Sequence, residues 1–201
     1  MVTLTGTKLQ IAEAALETLK TNGFAGASAR TIARTGGFNQ ALIFYHFGSV
    51  QNALLAALDL IGERRLADYG PAFERARTPS ELWRLARTIY DEDLERGYIT
   101  ALGEMVSGGV SDELLGAEVA ARIEPWIAMV ERKLEELLAG SPWRALASPH
   151  DLAFGVVSFY FGVDMLSQIQ RARGRAESLL DLATRLATLA EAVLPAGPQD
   201  S

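Results

Sequence analysis

Three observations predict an all-α fold for this chain of 201 residues. Apolar residues recur at helical spacing along most of its length, and no stretch keeps the apolar-polar alternation of a half-buried strand. Glycine and proline punctuate the periodic runs where helices would end. Apolar residues make up 49% and charged residues 22%, enough to build and cover a core of this size and too hydrophobic for a disordered chain.

The elements follow in order. Ile11, Ala14, Ala15 and Leu19 share one face of a first helix over Lys8–Lys20, with Thr7 as its N-cap and Asn22-Gly23 as its stop. Ser28 caps a short second helix through Thr35 that turns Ile32 and Ala33 inward and ends at Gly36-Gly37. Asn39 caps a third, to about His46. A fourth starts at Ser49 and reaches about Tyr69, with Ala53, Leu54, Ala57, Leu58 and Ile61 on one face. Pro79 opens a helix to about Gly97, and a segment follows from Ala101. An acidic, alanine-rich helix then runs to Gly140, with Pro125 marking a kink or restart.

The last two helices carry the most regular seams. Leu152, Val156, Phe159, Val163 and Leu166 step by four and three from Pro149 to about Arg171, and Leu179, Leu182, Leu186, Leu189 and Val193 repeat the pattern. Such stripes can face the protein's own core or build a four-helix bundle with a two-fold copy. Gly155 and Gly162 would permit a close crossing.

Composition narrows the function. Cysteine is absent, which excludes a disulfide framework, a thiolate metal site and a cysteine nucleophile. His46 and His150 are the only histidines, so no multi-histidine metal site and no cofactor are expected. Ser158, the glycines and Asp164 interrupt the apolar run Leu152–Leu166 short of a bilayer-spanning length, so no membrane partner is expected. The first residues lack a basic segment followed by an apolar run, which predicts a cytoplasmic protein. Net charge is −6, unfavourable for nucleic acid as a whole. Yet Lys8, Lys20, Arg30 and Arg34 outnumber Glu13 and Glu17 in the first fifty residues, so a mildly basic head precedes an acidic body.

Residues 28–46 have the layout of a helix-turn-helix, whose second helix enters the major groove. Around it stand Lys8, Ile11, Ala14-Ala15, Leu19 and Gly23-Phe24, then Ser28, Ile32-Ala33 and Gly37-Phe38-Asn39, then Ile43-Phe44-Tyr45-His46-Phe47 and Ser49. This register resembles the N-terminal domain of the TetR family of ligand-responsive transcriptional regulators, without a gap over about residues 7–60. The resemblance implies a three-helix DNA-binding head at 1–48 and a helical ligand-binding and dimerisation domain at 49–201. It implies double-stranded operator DNA, a small-molecule effector and a second copy of the chain as partners.

By the same resemblance Thr7, Lys8 and Ser28 fall near the phosphate backbone, and Tyr45 and His46 near phosphates at the end of the recognition helix. Gln40, Ala41 and Leu42 fall on its reading face. Arg30, Asn39 and Ser49 complete the candidate DNA-binding set. Gln40 suits adenine N6 and N7, whereas Ala41 and Leu42 can meet only a thymine methyl or sense shape. The chain departs from the family where Phe44 replaces a usual tyrosine and Val50 a usual basic residue. Phe44 and Phe47 read as core plugs of the head.

Tyr98, Met105, Trp126, Met129 and Tyr160 are candidates for the ligand pocket. Asp164, inside an aromatic and aliphatic run, is either paired with an arginine, at an edge, or a polar anchor for a ligand. Val156, Phe159, Val163, Leu182, Leu186 and Leu189 are the candidate dimer interface. An enzyme is not expected, since Asp164, His150 and the group Glu131, Glu135 and Glu136 have no matching nucleophile or cofactor loop. The competing function is a helical ligand-binding or adaptor protein without specific DNA binding.

Overall fold

The computed structural model describes residues 4–140, 144, 147–170 and 173–193. Among them the long regular elements are all helices: α1 (Gly6–Gly26), α2 (Ala29–Gly36), α3 (Ala41–Phe47), α4 (Val50–Arg75), α5 (Pro79–Arg96), α6 (Tyr98–Ser111), α7 (Glu113–Leu137), α8 (Pro149–Gln170) and α9 (Arg173–Val193). The fold is all-α, with an N-terminal helix-turn-helix. No single helix among the described residues is long and apolar enough to cross a membrane.

The chain forms two compact units, Met1–Asp68 with Asp93–Ile123, and Tyr69–Glu92 with Glu124–Ser201. In the first, Ile11, Ala14, Ala15 and Leu19 of α1 close on Ile32 and Ala33 of α2, all buried as their spacing requires. Thr18 is buried among them because its hydroxyl is satisfied, donating to the Ala14 carbonyl at 2.7 Å and meeting the Thr35 hydroxyl at 3.2 Å. α4 buries more than one stripe, with Leu55, Ala56 and Leu60 added to the expected face.

Several helix ends differ from expectation. α1 starts at Gly6, so Thr7 lies in its first turn, and the N-cap position is Thr5, whose side chain makes no cap bond. The regular run of α1 ends at Asn22-Gly23 as expected, since the backbone leaves helical geometry at Gly23, and a short second segment carries the element on to Gly26. Gly23 adopts φ 69°, a conformation glycine reaches without a Cβ clash, and the helix kinks there before continuing to Gly26. The amide of Phe24, just past the kink, donates to Glu104 Oε2 of α6 at 2.8 Å. That acceptor lies 80 residues away in sequence, so a tertiary contact receives the amide that the local break at Gly23 frees. α4 continues past Tyr69 to Arg75 with Pro71 inside it, α6 starts at Tyr98, and α7 runs unbroken through Pro125.

Ion pairs tie α4 to its neighbours in this unit. Arg64 meets Glu13 of α1 at 2.7 Å, Arg122 of α7 meets Asp59 at 2.8 Å, and Arg96 of α5 meets Asp68 at 2.7 Å. These are part-exposed and individually weak. Arg65 and Asp93 form a fully desolvated pair between α4 and α5.

In the second unit Trp83 donates from Nε1 to Thr184 Oγ1 at 2.8 Å, joining α5 to α9. Its ring lies 6.0 Å from that of Phe159, and Tyr90 meets Tyr160 edge-on at 5.6 Å. The two seams behave differently. On α9 Ala176 and Leu180 turn inward, while Leu179, Leu182, Leu186 and Leu189 stay exposed, Leu189 at 62%. On α8 Val163 is 5% exposed, so its side chain is spent inside the chain and cannot form the outer seam expected of it. The side chain of Val193 lies outside the described residues.

Candidate nucleic-acid interface

The head is assembled from local capping. The Thr31 amide donates to Ser28 Oγ at 3.2 Å and the Ser28 amide to Thr31 Oγ1 at 2.7 Å, a reciprocal cap that starts α2. Gly37, at φ 69° and ψ 31°, ends that helix in the left-handed conformation its C-cap needs. Asn39 Oδ1 accepts from the Ala41 amide at 2.9 Å and opens α3. Ser49 Oγ accepts from the Asn52 amide at 3.0 Å, and Asn52 Nδ2 donates to the Phe47 carbonyl at 2.7 Å. One residue thus joins the end of α3 to the start of α4, which leaves it bent by 70°.

Two side chains orient α3. Ile43 is wholly buried, and Phe47, four residues on, packs against Ala12, Ala56 and Leu60. That pair sets the inward side, and the helical period turns Ala41 and Tyr45 away from it. Tyr45 is 82% exposed, its ring edge-on to His46 at 4.9 Å. Phe44 is 51% exposed. The expectation that both phenylalanines plug the core therefore holds for Phe47 and fails for Phe44, which the packing of Ile43 and Phe47 pushes to the flank.

The other candidates fall on the same head. Gln40 and Ala41 are exposed at the N-terminal end of α3, and Leu42 and His46 are half-buried. Lys8, Ser28, Arg30, Arg34 and Asn39 are exposed, whereas Thr7 and Ser49 are half-buried. The hydroxyls of Ser28 and Ser49 and the carbonyl oxygen of Asn39 already serve as caps, so these residues order the helix starts as well as standing near the surface. Residues 35–63 contain no lysine or arginine. The residues that sequence reasoning missed are Phe44 and Glu104. The spacing of Ile43 and Phe47 signalled the first, and nothing local signalled the second.

The ligand candidates divide between the units. Tyr98 and Met105 are buried on α6 in the first, while Trp126, Met129, Tyr160 and Asp164 belong to the second. Asp164 is 2% exposed, which removes the edge location. An open groove of about 350 Å³ lies between α8 and α9, bordered by Phe159, Val163, Leu166, Arg175 and Leu179. His150 and Glu136, two of the acid-base candidates, are held in ion pairs. His150 Nδ1 lies 3.1 Å from Glu131, whose hydrogen bond and charge raise the imidazole pKa, and Lys133 holds Glu136 at 2.6 Å, lowering that carboxylate's.

Residues 11–58 match the family model described as bacterial regulatory proteins, tetR family. No curated protein sequence matches the chain. Among solved structures, the fatty acid degradation regulator FadR from Bacillus halodurans is similar at a TM-score of 0.77 and 14% identity, over 92% of this chain and 96% of that one. A TetR transcriptional regulator from Legionella pneumophila gives 0.72 and 18%, over 92% and 100%. The regulator FadR from Bacillus subtilis, solved with stearoyl-CoA, gives 0.69 and 13%, over 89% and 96%. The chain has the fold of the TetR-family transcriptional regulators, and its residues 11–58 are a tetR-type N-terminal region.

Proposed function

We propose that the chain is a cytoplasmic, sequence-specific DNA-binding transcriptional regulator, a repressor that leaves a palindromic operator when a small apolar or amphipathic effector binds. Residues 1–48 serve as the DNA-binding head and 49–201 as the ligand-binding and dimerisation part. The observation that carries this reading is α3 itself, pinned inward by Ile43 and Phe47 with Gln40, Ala41, Phe44 and Tyr45 facing out. Lys8, Arg30, Tyr45 and His46, with Thr7, Ser28, Asn39 and Ser49 at the helix starts, supply the contacts to phosphate. Gln40, Ala41 and Leu42 read bases. Trp126, Met129, Tyr160 and Asp164 are the proposed effector residues of the second unit, and Tyr98 and Met105 on α6 are separate candidates within the first.

Labelled duplex fragments from the region upstream of the gene, titrated with protein across salt concentrations, test the reading. One fragment should bind in the nanomolar range and well above random DNA, with affinity falling as salt rises. Lys8→Ala should weaken all sequences alike and flatten the log-log salt slope by about one unit. If no fragment beats random duplex, the adaptor reading replaces this one.

A homodimer supplies the two heads, set about 34–36 Å or a multiple apart on the duplex. The exposed row Leu179, Leu182, Leu186 and Leu189 on α9, with Phe159 and Val156 of α8 beside it, is the proposed interface. Because Leu186 is 56% exposed, Leu186→Glu should leave helicity intact and shift the light-scattering mass from dimer to monomer. A variant that stays dimeric would remove α9 from the interface.

A further inference from the structure

The side chains that α3 offers restrict which base pairs it can read. Resting on the DNA-binding reading above, we propose that the head reads A·T pairs by packing Phe44 and Ala41 against thymine C5-methyl groups, with the Gln40 amide on a neighbouring adenine.

In the major groove, guanine is read chiefly by a bidentate arginine or lysine on O6 and N7, and cytosine by a carboxylate on N4. Residues 35–63 have no lysine or arginine, and the acids nearest to α3 in sequence after it are Asp59 and Glu63, beyond its end. G·C pairs therefore have no direct reader on this helix. What it does present is a carboxamide at position 40, a methyl at 41 and a half-exposed phenyl ring at 44. The major groove offers one apolar feature, the thymine methyl, and one base matched by a carboxamide, adenine at N6 and N7. An exposed phenyl ring with no polar atom gains only when something apolar covers it. Tyr45 differs, because it carries a hydroxyl that can hydrogen-bond a phosphate.

The test starts from a preferred site selected by the full-length protein from a random duplex pool. That site is then synthesised with each thymine replaced in turn by deoxyuridine, which removes the methyl and keeps the pairing. The selected half-site should be A·T at the positions facing α3, and each contacted methyl should be worth about fourfold in affinity, the equivalent of about 0.8 kcal/mol per buried carbon. Phe44→Ala should bind the thymine and deoxyuridine forms nearly equally, whereas Phe44→Leu should keep part of the difference. Phe44 is half-exposed, so circular dichroism of both variants should show unchanged helicity. A selected site rich in G·C at those positions, or one indifferent to deoxyuridine, overturns the inference and leaves DNA binding standing. A methyl effect unchanged in Phe44→Ala removes Phe44 as the reader. Failure to select any site overturns the DNA-binding reading itself.

Discussion

Asp93→Ala should destabilise the protein by about 3–5 kcal/mol in urea unfolding followed by circular dichroism. Asp93 is wholly buried, and the Arg65 guanidinium it meets is nearly so. Removing the carboxylate leaves a cation in a low-dielectric site, and that penalty exceeds anything expected from the exposed pairs Arg64–Glu13 and Arg96–Asp68. The double replacement Arg65→Met with Asp93→Leu should recover most of the loss, because two apolar chains of similar volume need no charge compensation. A cost below about 1 kcal/mol for the single variant would show that water or another group takes over the arginine.

Glu104→Ala should cost about 1–3 kcal/mol and weaken DNA binding together, since it removes the acceptor of the Phe24 amide and loosens the kink that leads into α2. The grip around that kink has further parts. A Cβ at Gly108 would meet the Phe24 ring at 2.7 Å, and the Lys20 stem lies against Gly97, where a Cβ would meet it at 2.9 Å. Gly97, Glu104 and Gly108 thus hold the end of α1 from one helix and its cap. Glu104→Gln keeps a carbonyl acceptor and should lose less than Glu104→Ala. Gly108→Leu, which must displace the ring, should cost about 1–3 kcal/mol by overpacking. Stability unchanged in both Glu104→Ala and Gly108→Leu would mean that α1 is held by its apolar face alone.

The parts of the fold that were legible in the sequence are those set within a few residues. The cap at Ser28, the turn from Gly37 to Asn39 and the inward faces of α1, α2 and α4 all follow from side chains acting on backbone or on neighbours one helical turn away. Those short-range rules assembled the helix-turn-helix and put Gln40 and Ala41 at the exposed end of α3. Periodicity marks an apolar stripe without saying what covers it. Val163 and Leu186 looked equivalent, yet the tertiary structure buried one against its own chain and left the other bare. The outward position of Phe44 depends on the burial of Ile43 and on the packing of Phe47 against Ala12, Ala56 and Leu60. Glu104 was illegible for the same reason. An orphaned amide at Phe24 states that an acceptor is needed, and only the packing of α6 on α1 determines which of the chain's carboxylates arrives there.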